Sequence, residues 1–310
     1  MKHALLVAEF YSTPWAIVPE RLTAIEAVVM RLAQGASASP EVMEQVRADS
    51  EVMAARRDVA RQASNGGGIA VLPFYGVSTQ RPPPPMSSGT GLMSTQLFSN
   101  MFRAALADDS VGGILIDIDS PGGSVFGVQE LANEIYSARG KKPVVAIANS
   151  LAASAAYWIG SSASEFYITP GGEAGSIGVF AAHQDISKQQ ETEGVKTTLI
   201  SAGRYKVEGS PYGPLDDEAK AHMQSRIDAH YGAFTRAVAR NRGVGVDAVR
   251  TGMGEGRTYG ASDAKAAGMV DDVATFDQVL SRMAKSISAS RSAPKTRAAA
   301  MQRDIDILNA

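Results

Sequence analysis

The chain has 310 residues, with 30 Lys and Arg against 32 Asp and Glu, a net charge of −2, 45% hydrophobic residues and 20% charged ones. That is enough apolar material for a sizeable core, and at roughly 150 residues per domain it implies one large or two smaller domains. The near-neutral balance and 6% aromatic content argue against a nucleic-acid binder, which normally carries a basic excess. No cysteine is present, which excludes disulfides, thiolate nucleophiles and cysteine zinc sites and fits a reducing compartment. No stretch reaches the roughly 18 uninterrupted apolar residues of a membrane span; the nearest, Pro143 to Gly160, is broken by Asn149, Ser150 and Ser154. Met1 to Phe10 lacks a secretory pattern, so a cytoplasmic location with no membrane partner is expected.

In chain order, Pro19 opens an amphipathic helix with Leu22, Ile25, Val28, Val29 and Leu32 on one stripe, stopped by Gly35. A second helix follows Pro40 and dissolves at Gly66-Gly67-Gly68, the best boundary in the chain. Residues 1–65 therefore read as an N-terminal helical extension, for packing or assembly. From Ile69 onward short β-branched runs (69–77, 114–118 and 143–148) alternate with helical periods, the pattern of βαβ units around a buried parallel sheet. Pro82 to Pro85 predict an exposed extended loop. Asp216 to Arg242 predicts a long helix covering the sheet, with Met223, Ile227, Phe234 and Val238 on one stripe and Gly243 after it. Residues 66–283 form the expected α/β core, and 284–310, rich in Ala, Ser, Lys and Arg, a flexible basic tail.

Three places carry chemistry. The apolar run 114–118 leads through Asp119-Ser120-Pro121 into Gly122-Gly123, adjacent glycines whose N–H groups suit a phosphate or the oxyanion of an acyl intermediate. No phosphate-loop pattern accompanies them. The next strand runs into Ala152-Ala153-Ser154-Ala155-Ala156, where a serine among small residues at a strand-to-helix junction is open to act as a nucleophile or to allow close packing. Its base is either Lys206, which desolvation in a cleft would deprotonate, or His183, with Asp185 or Asp117 as orienter. Spacing does not choose between them. His3, His222 and His230 lack metal-ligand context, and neither a metal nor another cofactor is expected.

Four motifs in order, Asp119-Ser120-Pro121-Gly122-Gly123-Ser124, Ala152 to Tyr157, Gly175-Ser176-Ile177-Gly178-Val179 and Ser201-Ala202-Gly203-Arg204-Tyr205-Lys206, resemble the signal peptide peptidase A family of serine peptidases. The likeness covers about residues 66–280. Phe10-Tyr11-Ser12-Thr13-Pro14-Trp15-Ala16-Ile17 before a helix resembles the opening of its phage branch, the prohead proteases of capsid maturation. The resemblance implies a Clp/crotonase-like α/β fold, a Ser154/Lys206 dyad, and an oxyanion hole from the Gly123 and Ala155 N–H groups with Gly122 beside them. From its place in Gly175-Ser176-Ile177-Gly178, Ser176 is expected to orient the lysine amine by hydrogen bonding. The resemblance also implies a homo-oligomeric ring in which serine and lysine come from neighbouring subunits. Substrates would be scaffold, portal or related head proteins and the chain's own tail, inside an immature capsid or the host cytoplasm. Ala155-Ala156 stands where the family commonly has Gly-Gly. The alternatives are a Clp-type Ser154/His183/Asp triad, a crotonase-like acyl-CoA enzyme, and a non-catalytic capsid scaffold.

Overall fold

The computed structural model describes residues 10, 11, 13–20, 22, 26, 68–81 and 92–289. Most of both N-terminal helices, most of the boundary glycines, the four prolines and residues 290–310 lie outside these; residues 19, 20, 22 and 26 are helical, as the first expected helix requires.

The described chain begins with β1 (Trp15–Ile17), β2 (Gly68–Tyr75), β3 (Val77–Thr79), β4 (Leu92–Ser94), α1 (Thr95–Ala107), β5 (Val111–Ser120) and β6 (Gly122–Ser124). It continues through α2 (Val128–Ser137), β7 (Val144–Ala153), α3 (Ala155–Ser161), β8 (Glu165–Ile168), β9 (Glu173–Gly175), α4 (Ser187–Thr192) and α5 (Asp217–Arg242). Then come α6 (Val246–Gly252), β10 (Thr258–Gly260), α7 (Ala261–Ala266), β11 (Asp272–Val273) and a helix over 276–289. The fold is α/β, as expected. A large sheet has the order β10-β9-β7-β5-β2, with β8 also on β7 and β11 on β8, and all of its pairs are parallel except β10 with β9. A second sheet has the order β1-β6-β3-β4.

The apolar runs are continuous because both faces of the large sheet are covered. Side chains alternate across a strand, so Ile114, Ile116 and Ile118 join one core with α1, α2, α3 and α5, while Leu115 faces the opposite way with Ile69, Val71, Val145 and Ile147. That second core is closed by Val279, Leu280, Met283 and Ile287. The helix that carries them runs past the boundary expected at 283, because Ile287 at helical spacing from Met283 still reaches the sheet.

Helix α5 starts and stops where its sequence predicts. Asp216 Oδ1 accepts from the Ala219 N–H at 2.7 Å, and Gly243 takes the left-handed conformation that closes the helix. Only its second half covers the core, through Phe234, Ala237, Val238 and Ala239; Met223 and Ile227 are half-exposed. The first half stands clear of the sheet together with the segment before it, which leaves Val195, Leu199, Ile200, Tyr205 and Val207 exposed.

Arg139 ties the end of α3 to α5. Its guanidinium donates to the carbonyls of Ser161, Ser162, Ala163 and Asn241, satisfying acceptors that the short helix leaves without partners. At the far edge, Asp272 accepts from Lys265 Nζ at 2.7 Å and Arg282 at 3.1 Å, and these bonds hold its carboxyl down at about 2. A carboxylate depressed in the folded state contributes stability above the ordinary aspartate value that is lost as pH falls through the folded one. Asp272→Asn should therefore flatten the loss of stability between about pH 4 and about pH 2, measured by denaturant unfolding across that range.

Candidate active site

The site is built on β7. The strand pairs with β8 through Val145–Ala148 and with β9 through Leu151–Ala153, and Ser150 between them takes a positive φ of 123° where the partner changes. The strand thus extends past Ala148, where the apolar pattern ends, because its alanine stretch finds a second partner. Ser154 prolongs the β7–β9 ladder, its N–H donating to the Gly175 carbonyl at 2.7 Å. It then turns the chain into α3 with φ 56° and ψ −116°. A non-glycine residue there is strained by about 1–3 kcal/mol and persists only where its surroundings hold it. The holding groups are identifiable: Gly175 O on the Ser154 N–H, Trp158 N–H on Ser154 O at 3.0 Å, and Gly178 O accepting from Ser154 Oγ at 3.4 Å. A strand, a sharp strained turn and a helix are the setting of a nucleophile elbow.

The two glycines do different work. A Cβ on Gly122, whose φ is 96°, would lie 2.2 Å from Ala16 O and 3.0 Å from both Ala153 O and Ser154 Cβ. On Gly123 it would lie 1.9 Å from Ser78 O. The first glycine therefore lets β6 approach the serine, and the second lets β6 approach β3. The Gly122 N–H donates to Ser120 Oγ at 3.2 Å, while that hydroxyl donates to Gly76 O at 2.6 Å. Of the three N–H groups anticipated for an oxyanion, that of Gly122 is thus occupied, that of Gly123 lies in the ladder with β1, and that of Ala155 opens α3.

Of the residues anticipated, Ser154, Gly122, Gly123 and Ala155 are together. Ser176 is also near, but its N–H donates to Arg257 O at 2.8 Å, and its loop supports Ser154 through Gly175 and Gly178; no hydrogen bond joins it to Lys206. Lys206 is on the exposed segment before α5, its N–H donating to Gly203 O, and among the described residues nothing joins its amine to Ser154. His183 Nε2 lies 3.2 Å from Ser210 O. Asp185 is held below the ordinary carboxylate range by the Ser187 hydroxyl and N–H, and Asp117 is buried with Tyr75 Oη and Asn149 Nδ2 as partners. The contact of His183 Nε2 is thus with the backbone of Ser210, and the charge of His183 lies near Asp185.

Sequence reasoning did not foresee two features. Ser78 Oγ is buried without a hydrogen-bond partner directly behind Gly123. Strand β1 lies antiparallel along β6, with Ala16 opposite Gly123. Three residues are too few to show strand alternation, so the Phe10–Ile17 stretch stood out only by its family resemblance.

Residues 137–290 match the model of peptidase family S49, a span that contains Ser154 and Lys206. The chain carries an S49 peptidase domain. It is 36% identical over 235 residues to capsid assembly protease C of Escherichia phage lambda, covering 75% of this chain and 52% of that protein. It is 35% identical over 245 residues to head-tail preconnector protein GP5 of Enterobacteria phage P21, covering 77% and 47%. Protease 4 of Salmonella typhi is 30% identical over 224 residues, 72% of this chain and 35% of its own length. The S49 chain thus spans about half the length of the phage relatives it matches. Among solved structures, a ClpP1 mutant from Listeria monocytogenes aligns with a TM-score of 0.43 and 15% identity, over 68% of this chain and 94% of its own. Among the described residues of the S49 chain, no helix is long and apolar enough to cross a membrane.

Proposed function

We propose that the chain is a serine endopeptidase of capsid maturation, cleaving scaffold, portal or related head proteins with Ser154 as nucleophile and Lys206 as general base. The observation that carries the reading is the strained Ser154 at the strand-to-helix turn, pressed against Gly122 of β6. The resemblance to two phage proteins, one a capsid assembly protease by name, supports the substrate class. The amine of Lys206 takes the Ser154 hydroxyl proton as Oγ attacks a peptide carbonyl carbon, and the Gly123 and Ala155 N–H groups hold the resulting oxyanion. Collapse of the tetrahedral intermediate breaks the C–N bond, the amine leaves with the proton from lysine, and water then hydrolyses the acyl-enzyme.

The exposed position of Lys206 supports a site completed between subunits. The apolar side chains around it, Val195, Leu199, Ile200, Tyr205 and Val207, have the character of a surface buried by a second copy of the chain. Such a shared dyad predicts complementation: Ser154→Ala and Lys206→Ala, each inactive alone, regain cleavage when mixed under conditions of subunit exchange. Co-expression with the head proteins of its own genome, read by intact mass for wild type, Ser154→Ala, Lys206→Ala and His183→Ala, tests the function. Loss in the serine and lysine variants alone supports the dyad. Loss with His183→Ala and not Lys206→Ala transfers the base to histidine, and cleavage that survives Ser154→Ala overturns the peptidase.

A further inference from the structure

We infer that β1 is a built-in occupant of the substrate channel, a strap of this chain's own sequence that lies where a peptide must lie to be cut and has to leave before another strand can enter. The inference rests on the peptidase reading for the identity of the channel, and on the ladder for its occupant.

Peptidases commonly hold substrates as an added strand, with main-chain hydrogen bonds setting the register. The strand that passes Ser154 is β6, and its free-edge role is taken by β1: Trp15 faces Ser124, Ala16 faces Gly123 and Ile17 faces Gly122, antiparallel. The bonds at either end fix which pairs are joined. Val18 N–H donates to Pro121 O at 3.0 Å, and Val125 N–H donates to Pro14 O at 3.2 Å. Antiparallel bonded pairs recur every second residue, so Ala16 and Gly123, midway between, form a bonded pair. The Gly123 N–H, one of the oxyanion donors anticipated for the site, is therefore aimed at the Ala16 carbonyl. That carbonyl oxygen and Ser154 Cβ both lie within 3.0 Å of the point where a Gly122 Cβ would stand. The Ala16 carbonyl thus lies beside Ser154, across the Gly122 backbone.

The other edge of β1 is used as well. Trp15 exchanges both backbone hydrogen bonds with Phe180, at 2.8 and 2.9 Å, two residues beyond the Gly178 that accepts from Ser154 Oγ. One residue of the strap pairs with the glycine strand and the next with the segment after Gly178, as in a strand threaded between two walls. Ala16 is wholly buried and so is Ser154, so the channel is filled. Trp15 anchors the strap in a small cluster of its own with Phe10 and Ile17, apart from the two main cores, and its indole donates to Phe10 O at 3.0 Å. Release of the strap gives up this cluster and, from the main cores, the contacts of Ala16.

The test needs no knowledge of the natural substrate. Trp15 and Ser124 are an unbonded antiparallel pair, a spacing of about 4.5 Å between Cα atoms that a disulfide spans. The natural sequence has no cysteine, so Trp15→Cys with Ser124→Cys introduces the only thiols. A fluorescent peptide with the sequence of residues 10–20 is titrated against the full-length double variant carrying Ser154→Ala, oxidised and then reduced. Binding at least tenfold weaker in the oxidised form is expected; equal binding in the two forms overturns the strap. In the Ser154 background of the same variant, peptide hydrolysis should fall at least tenfold on oxidation and return on reduction, and hydrolysis indifferent to the lock overturns it too. Trp15→Ala, which only loosens the strap, should bind the peptide more tightly than wild type. Redox-dependent binding with no Ser154-dependent hydrolysis in any form would retain the strap and refute the peptidase reading.

Discussion

Ser154→Gly should produce a chain with no measurable peptidase activity that is more stable than Ser154→Ala by about 1 kcal/mol. Loss of the nucleophile removes roughly 10⁴-fold or more in turnover in serine peptidases, because what remains comes from binding and oxyanion stabilisation alone. Stability then depends on the backbone. With φ 56° and ψ −116°, Ser154 lies in the mirror image of the extended region, which glycine enters freely and any residue with a Cβ does not. Removing Cβ relieves strain of about 1–3 kcal/mol, while the extra freedom of an unfolded glycine costs about 0.5–1 kcal/mol, so the net gain spans about 0–2.5 kcal/mol and centres near 1 kcal/mol. The hydroxyl contributes little to the balance, since its hydrogen bond to Gly178 O is long at 3.4 Å. Denaturant unfolding of the two inactive variants isolates the effect. Equal stabilities would mean that the turn stores no more strain than the unfolded freedom of glycine offsets.

Trp158→Ala should cost about 3–5 kcal/mol, the range for deleting a large buried aromatic side chain. Trp158 is buried one turn after Ser154, and its ring stacks on Phe234 with centroids 4.7 Å apart and planes 6° from parallel. It is the join between α3, which carries the serine, and the buried half of α5. Its N–H also donates to Ser154 O at 3.0 Å, so disorder of this turn reaches the nucleophile directly. Trp158→Phe separates packing from polarity. The indole Nε1 is buried without a hydrogen-bond partner, so phenylalanine keeps the stack, removes an unsatisfied donor and should cost well under half as much as alanine. Equal losses for the two variants would show that the stack itself contributes nothing, and that the site helix is held by other contacts.

The parallel sheet and the Ser154 turn were legible in the residues for local reasons. Unbroken runs such as 114–118 are apolar on both faces because two cores require it, and Ser154 among alanines sits at a junction where larger side chains would not pack. Helix α5 announced its own ends through Asp216 and Gly243. Its stripe did not disclose that only the second half is buried, because periodicity records an apolar face and not what covers it. The motif that carries Lys206 singles out a lysine that lies exposed and, among the described residues, unjoined to Ser154, a separation that no local pattern discloses.

The sequence by itself determined the element types, the serine turn, the paired glycines and the family resemblance, since each rests on neighbours within a few residues. Tertiary structure decided the division of labour between Gly122 and Gly123, the loop around Ser176 as the support of the serine, and the seating of Ala16 opposite Gly123. These depend on pairings such as β1 with β6, more than a hundred residues apart in the chain. Such partners are joined by backbone hydrogen bonds common to nearly all residues and selected by side chains that meet only in the folded chain, so a local pattern does not disclose them.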